Sequence, residues 1–128
     1  MSTPVQKVRP KYLNLFKIKL PLPGIVSIGH RISGVLLVLS IPLWLYTLEL
    51  SLNGPNGFAE AKAWLHGFFI SLFSIVILWS LVHHFFAGIR FLLLDLDIGV
   101  EKTQAIKYSK LVFVAEGISM LFVIGWIL

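Results

Sequence analysis

Leu81-Val-His-His-Phe-Phe-Ala-Gly-Ile-Arg-Phe-Leu-Leu-Leu-Asp95 puts two histidines and an arginine inside a run otherwise apolar enough for a lipid bilayer. A charged side chain at membrane depth costs about 2.5 to 3.5 kcal/mol on insertion scales, so such groups face a partner, a cofactor or water. At helical spacing His84, Ala87, Gly88, Phe91 and Asp95 share one face. Gly88, without a Cβ, leaves a shallow notch one turn from the imidazole where a flat ligand could lie. Imidazole nitrogen is a ligand for haem iron, and Arg90, six residues on, sits about 9 Å further along the axis, within reach of an anionic tail. A histidine hydrogen-bonded to a neighbouring helix fits the same pattern equally well.

Composition sets the class around this stretch. With 57% hydrophobic and 13% charged residues, and a mean hydropathy of +0.88, the chain is too apolar for a water-soluble domain. Each spanning helix needs roughly 20 residues, so three spans with short connections nearly exhaust 128 residues. The expected fold is all-α, an integral membrane bundle of three transmembrane helices, with no room for a soluble catalytic domain. The absence of cysteine removes iron-sulfur ligation and thiol chemistry from this chain. The net charge of +5 sits in basic residues flanking apolar spans. They read as topology signals and contacts with membrane lipid, and no nucleic acid is expected.

Residues 1–22 form a basic segment with Lys7, Arg9, Lys11, Lys17 and Lys19 and no acid. No signal peptide is expected, because a long polar segment precedes the first apolar run. The prolines at 10, 21 and 23 bracket a partly alternating strip, either extended along the membrane surface or a solvated basic tail. Residues 23–128 form the transmembrane domain, with spans at about 24–52, 64–94 and 108–128. Pro42 is expected to kink the first span, and Asn53-Gly54-Pro55-Asn56-Gly57 to reverse the chain. His66 reads as interfacial. Five Lys and Arg precede the first span, against Lys62 after it and Lys102 and Lys107 after the second, which places the amino terminus in the cytoplasm. Small residues at Ala115, Gly117, Ser119 and Gly125 allow close helix contacts on the third span.

Ser27, His30, Arg31 and Gly34 fall at i, i+3, i+4 and i+7, a polar stripe that faces something other than lipid. Arg31 by itself could snorkel to the interface; beside a serine and a histidine it indicates a shared site. The first two spans run in opposite directions, so His30, Arg31, His84 and Arg90 converge in the cytoplasmic half. A haem ligated by His84 would there meet Arg90, Arg31 and His30 with its acid groups.

Arg9-Pro10, Pro21, Ser27-Ile-Gly-His30-Arg31-Ile-Ser-Gly34 and His84-Phe-Phe-Ala-Gly88-Ile-Arg90 together resemble the cytochrome b556 membrane-anchor subunits of bacterial succinate dehydrogenase, over nearly the whole chain. The resemblance implies a haem b shared with a second three-helix anchor subunit, with His84 as one axial ligand to the iron and a histidine of the companion as the other. It implies that Ser27 and Arg31 help form the ubiquinone pocket, and that His30 and Arg31 lie near the haem propionates. The implied partners are an iron-sulfur subunit and a flavoprotein subunit, and the implied place is the bacterial cytoplasmic (inner) membrane, multi-pass. On this reading the chain is not catalytic alone; it anchors the dehydrogenase and helps pass electrons from succinate to ubiquinone. Many members follow the second arginine with histidine, whereas Phe91 stands here, so any role of that histidine is absent. The other readings are a haem anchor of another quinone-linked dehydrogenase or fumarate reductase, and a non-redox small membrane protein.

His84 rather than His83 is the expected ligand, because only His84 shares its face with Gly88. Glu116, deep in the third span, needs a partner or a proton. His83, at a similar depth, is one candidate for a direct tie; a backbone carbonyl or the companion subunit is the other.

Overall fold

A computed structural model describes residues 18–127, the side chains of 126 and 127 apart. The basic segment up to residue 17 lies outside the described residues. Four helices follow in order: α1 (Leu22–Leu52), α2 (Gly54–Leu65), α3 (Phe68–Asp95) and α4 (Lys102–Ile127). The three long ones are apolar and long enough to cross a membrane. At 1.5 Å per residue they run about 39 to 46 Å, more than the roughly 30 Å hydrocarbon core. α3 packs against both α1 and α4, and α1 also reaches α4.

Local chemistry explains the ends. Pro21 caps α1 in extended conformation and Pro23 occupies its first turn, where a missing N–H costs nothing. The helix continues through Pro42 to Leu52. The Asn53–Gly57 stretch does reverse the chain, but it does so as the start of a separate short helix, α2. Gly57 there packs so closely on the Leu50 carbonyl that a Cβ has no place. The second span begins at Phe68, later than the sequence pattern suggested, because Gly67 turns extended (φ −61°, ψ 137°) and separates it from α2. The Ser71 hydroxyl donates to the Leu65 carbonyl across that break, at 2.9 Å.

α4 begins at Lys102, six residues before the expected start of the third span. The turn ahead of it is short. Ile98 N–H donates to the Leu93 carbonyl at 2.9 Å and Asp97 N–H to Leu94 at 3.0 Å, the paired closure of a Schellman cap. Asp97 (φ 59°) occupies the left-handed position that glycine usually fills.

The bundle is apolar outside and small or polar inside. Val26, Ser33, Ser40 and Thr47 are the buried residues of α1, one every seventh position, and Ile77, Ser80, His83, Ala87 and Arg90 are those of α3. Most buried hydroxyls are satisfied within their own helices: Ser33 donates to the His30 carbonyl, Ser40 to Leu37, Thr47 to Leu43, Ser80 to Val76 and Ser109 to Ala105, all at 2.7 to 2.9 Å, while the Ser74 hydroxyl has no partner among the described residues. In lipid, small side chains with internally bonded hydroxyls let backbones approach, which is where helix association gains its dispersion energy. Large apolar side chains such as Val38, Leu39, Leu92, Leu121 and Phe122 point outward, each more than 60% exposed. On α4 the close contacts come from Ser109, Val112 and Glu116, not from the expected glycines: nothing lies within 4 Å of a Cβ built at Gly117 or Gly125.

Candidate functional site

The two adjacent histidines of α3 occupy opposite flanks of the α1–α3 contact. His84 is half-buried on the flank carrying His30. Its Nδ1 lies 3.1 Å from the His30 carbonyl and 3.2 Å from the Ser33 hydroxyl, whose own hydrogen goes to that same carbonyl. Both neighbours therefore accept, so Nδ1 carries the proton and donates to them, and Nε2 keeps its lone pair. The His30 and His84 rings stack, 3.9 Å between centroids and 12° between planes, and Phe91 meets the His30 ring edge-on at 5.1 Å.

Glycines make room for both rings, though in a different arrangement from the expected one. A Cβ on Gly34 would sit 3.1 Å from His84 Cε1, so Gly34 is the residue that admits His84. The notch at Gly88 is filled by His30, whose Nε2 lies 3.6 Å from a Cβ built there. Side chains crossing between helices, not spacing along one helix, decide which glycine faces which ring.

His83 is sealed on the other flank, 1% exposed. Its Nδ1–H donates to the Glu116 carboxylate of α4 at 2.8 Å, and both side chains are buried. The direct tie between His83 and Glu116 is thus present. Trp79 stacks on the His83 ring at 5.4 Å, and Phe113 leans on it at 6.0 Å. Among the described residues Nε2 has no hydrogen-bond partner, and it points at α1, where a Cβ on Gly29 would lie only 2.5 Å away. No ligand atom fits between that nitrogen and α1.

Ser27 and Arg31 lie one turn apart on α1, Ser27 half-buried and Arg31 exposed. Counting about 100° per residue from the buried Val26, Ser27 stands at roughly 100°, close to Gly34 at roughly 80° on the flank that meets His84, and Arg31 at roughly 140°, further round toward the exposed side. Arg90 falls on the buried stripe with His83 and Ala87, lining a groove of about 260 Å³ with Tyr108, Leu111 and Ala115. Its guanidinium carbon lies 5.4 Å from the Phe91 centroid, and its buried Nε has no partner among the described residues. The structure therefore joins His30 to His84 directly and Arg90 to them only through Phe91. Sequence reading placed Gly34 on the stripe with His30 but missed Ser33 and Gly29 as neighbours of the histidines. The seven-residue recurrence of small residues from Val26 to Thr47 was the available signal for the α1 seam.

An imidazole whose Nδ1–H is held by a backbone carbonyl, with a free Nε2 beside it, is how proteins present histidine to a metal. His84 meets that description and His83 does not. Among the described residues no three His, Cys, Asp or Glu side chains gather as a metal cage. A single imidazole suits a haem iron held jointly with another chain.

Comparison with known proteins agrees with this chemistry. Residues 6–125 match the family of succinate dehydrogenase/fumarate reductase transmembrane subunits. The succinate dehydrogenase cytochrome b556 subunit of Coxiella burnetii is 35% identical over 120 residues, covering 93% of this chain and 96% of that one. The subunit of the same name from Paracoccus denitrificans is 39% identical over 106 residues, 80% of this chain and 78% of its own.

Proposed function

Because the chain belongs to the succinate dehydrogenase/fumarate reductase transmembrane subunit family, we propose that it is the haem b-carrying membrane anchor of a succinate:ubiquinone oxidoreductase. It lies in a bacterial inner membrane with its amino terminus cytoplasmic, as the five basic residues before α1 favour. The observation that carries the reading is the contrast at α3: His84 Nδ1–H bonded to the His30 carbonyl with Nε2 free, against His83 closed on both sides.

In this reading His84 would hold the haem iron through its free Nε2, and a histidine of a second three-helix anchor subunit would hold it together with His84. His30 and Arg31, with Arg90 behind Phe91, supply positive or hydrogen-bonding groups to the propionates. When bound, the haem supplies a one-electron store beside the quinone site. Gly34 and Gly88 keep the two imidazoles in contact with the opposite helix. The stacked His30 ring covers one face of His84, and Phe91 meets the edge of that His30 ring.

Ubiquinone takes up two electrons and two protons to become ubiquinol. Its electrons come from succinate, oxidised in a flavoprotein subunit and relayed by an iron-sulfur subunit. Ser27 donates a hydrogen bond to one quinone oxygen, and the Arg31 guanidinium stabilises the negative charge that develops there. Arg31 is exposed on this chain and Ser27 half-buried, so partner subunits would complete the pocket around them.

The test is a reduced-minus-oxidised absorption spectrum of the complex purified with its partners. A low-spin b-type signal, lost in His84→Leu, is expected; a complex without that signal would overturn the haem assignment. Ser27→Ala and Arg31→Leu should lower quinone reduction by succinate while sparing succinate oxidation with a soluble artificial acceptor. Equal loss in both assays would make them assembly residues.

A further inference from the structure

A buried carboxylate on α4 is not needed to ligate iron or to touch quinone, yet Glu116 is 7% exposed and spends its hydrogen bond on the histidine next to the proposed ligand. We propose that Glu116 is a positioning residue: through its 2.8 Å bond to His83 it sets the rotation of α3 and hence the direction in which His84 presents its nitrogen. The inference rests on the haem reading of His84.

The His83 ring has little freedom. Trp79 lies along one side of it and Phe113 leans on it, while the Cβ-free surface of Gly29 on α1 meets its Nε2 edge. Among the described residues Nε2 itself has no partner, and the bond from Nδ1–H to Glu116 is the ring's one directional tie there. One imidazole thereby registers three helices: Gly29 of α1, its own α3 and Glu116 of α4. His84 is the next residue on the same rigid backbone. A rotation of α3 by about 10° moves an atom about 6 Å from the axis by about 1 Å, beyond the roughly 0.5 Å that a working ligand geometry tolerates. His84's own tie, to the His30 carbonyl and Ser33 of α1, fixes it to one neighbour only. The tie through His83 to α4 supplies the second point that a rotation needs in order to be stopped.

A hydrogen-bond acceptor at position 116 is what this role requires, and a negative charge is not. Glutamine, whose amide oxygen reaches the same N–H, should preserve the role, whereas leucine should lose it. The experiment uses the complex with its native partners and reads the oxidised haem by electron paramagnetic resonance, whose low-field feature follows the mutual orientation of the two axial imidazole planes. The haem midpoint potential is read alongside. Glu116→Leu is expected to shift both, and Glu116→Gln to restore both to wild-type values. Gly29→Ala pushes the His83 ring from the α1 side without removing its acceptor, and is expected to shift both in its own right, which keeps the test open if the leucine variant does not assemble. Wild-type signal and potential in Glu116→Leu or Gly29→Ala, with haem retained, would overturn the positioning role alone. Wild-type complex without any low-spin signal would overturn the haem reading together with it.

Discussion

His83 and His84 are neighbours in sequence with the same side chain, and their surroundings differ in every respect that matters to chemistry. His83 is closed between three helices and bonded to a carboxylate, with its second nitrogen pressed toward a glycine. His84 is half-buried, bonded through Nδ1 to a backbone carbonyl and a hydroxyl, and keeps a nitrogen to offer. About 100° of helix rotation separates them, and this is enough to seal one between three helices and leave the other a nitrogen with its lone pair free. The membrane sharpens the division, because a polar group turned inward must find a partner at once, and a group turned to the flank can keep a lone pair for an incoming cofactor.

The largest expected effect is a reversal of consequences between the pair. His84→Leu should abolish the low-spin haem spectrum with the complex still assembled. His83→Leu should keep a low-spin haem but leave Glu116 without its donor, lowering resistance to heat by about 1 to 3 kcal/mol, the cost of an unsatisfied buried polar group. Thermal melting of the purified complex, monitored with the haem spectrum, reads both. Haem loss in His83→Leu and retention in His84→Leu would break the comparison.

A smaller effect distinguishes the glycines on the His84 flank. A Cβ at Gly34 would come within 3.1 Å of His84 Cε1, whereas at Gly88 the nearest atom, His30 Nε2, is at an ordinary 3.6 Å. Gly34→Ala should therefore shift the haem spectrum or reduce haem content, and Gly88→Ala should leave both close to wild type. The opposite order would mean that the ring is admitted by its own helix and not by α1.

Smaller still is the hydroxyl that shares the His84 proton. Ser33→Ala removes one of two acceptors and leaves the His30 carbonyl, so haem content should hold while stability falls by about 0.5 to 1.5 kcal/mol, one net hydrogen bond. The control lies away from both histidines, in the α3–α4 turn. Asp97→Gly relieves a left-handed backbone (φ 59°) in a non-glycine residue and should raise the melting temperature modestly, by about 1 kcal/mol of stability, with the haem spectrum unchanged.

The sequence by itself determined the class and the count: three apolar runs of spanning length, and the few polar residues that could not face lipid. Those residues include His30, Arg31, His83, His84, Arg90 and Glu116, and the motifs around His30, Arg31, His84 and Arg90 already resembled a haem-bearing anchor. What hydropathy and period leave undetermined is azimuth. A helical repeat tells which residues of one helix share a face, but the rotation of that face toward a neighbour follows from which side chains interlock across the contact. Only the tertiary structure decided that Gly34 admits His84 while His30 fills Gly88, and that Arg31 is exposed while Ser27 is half-buried. It also decided that Arg90 lies on the His83 stripe and that Glu116 bonds His83. The same limit moved the helix ends. The α2 break at Gly67 and the early start of α4 at Lys102 follow from single backbone conformations, φ and ψ at Gly67 and the left-handed Asp97, and these carry no hydropathy signal.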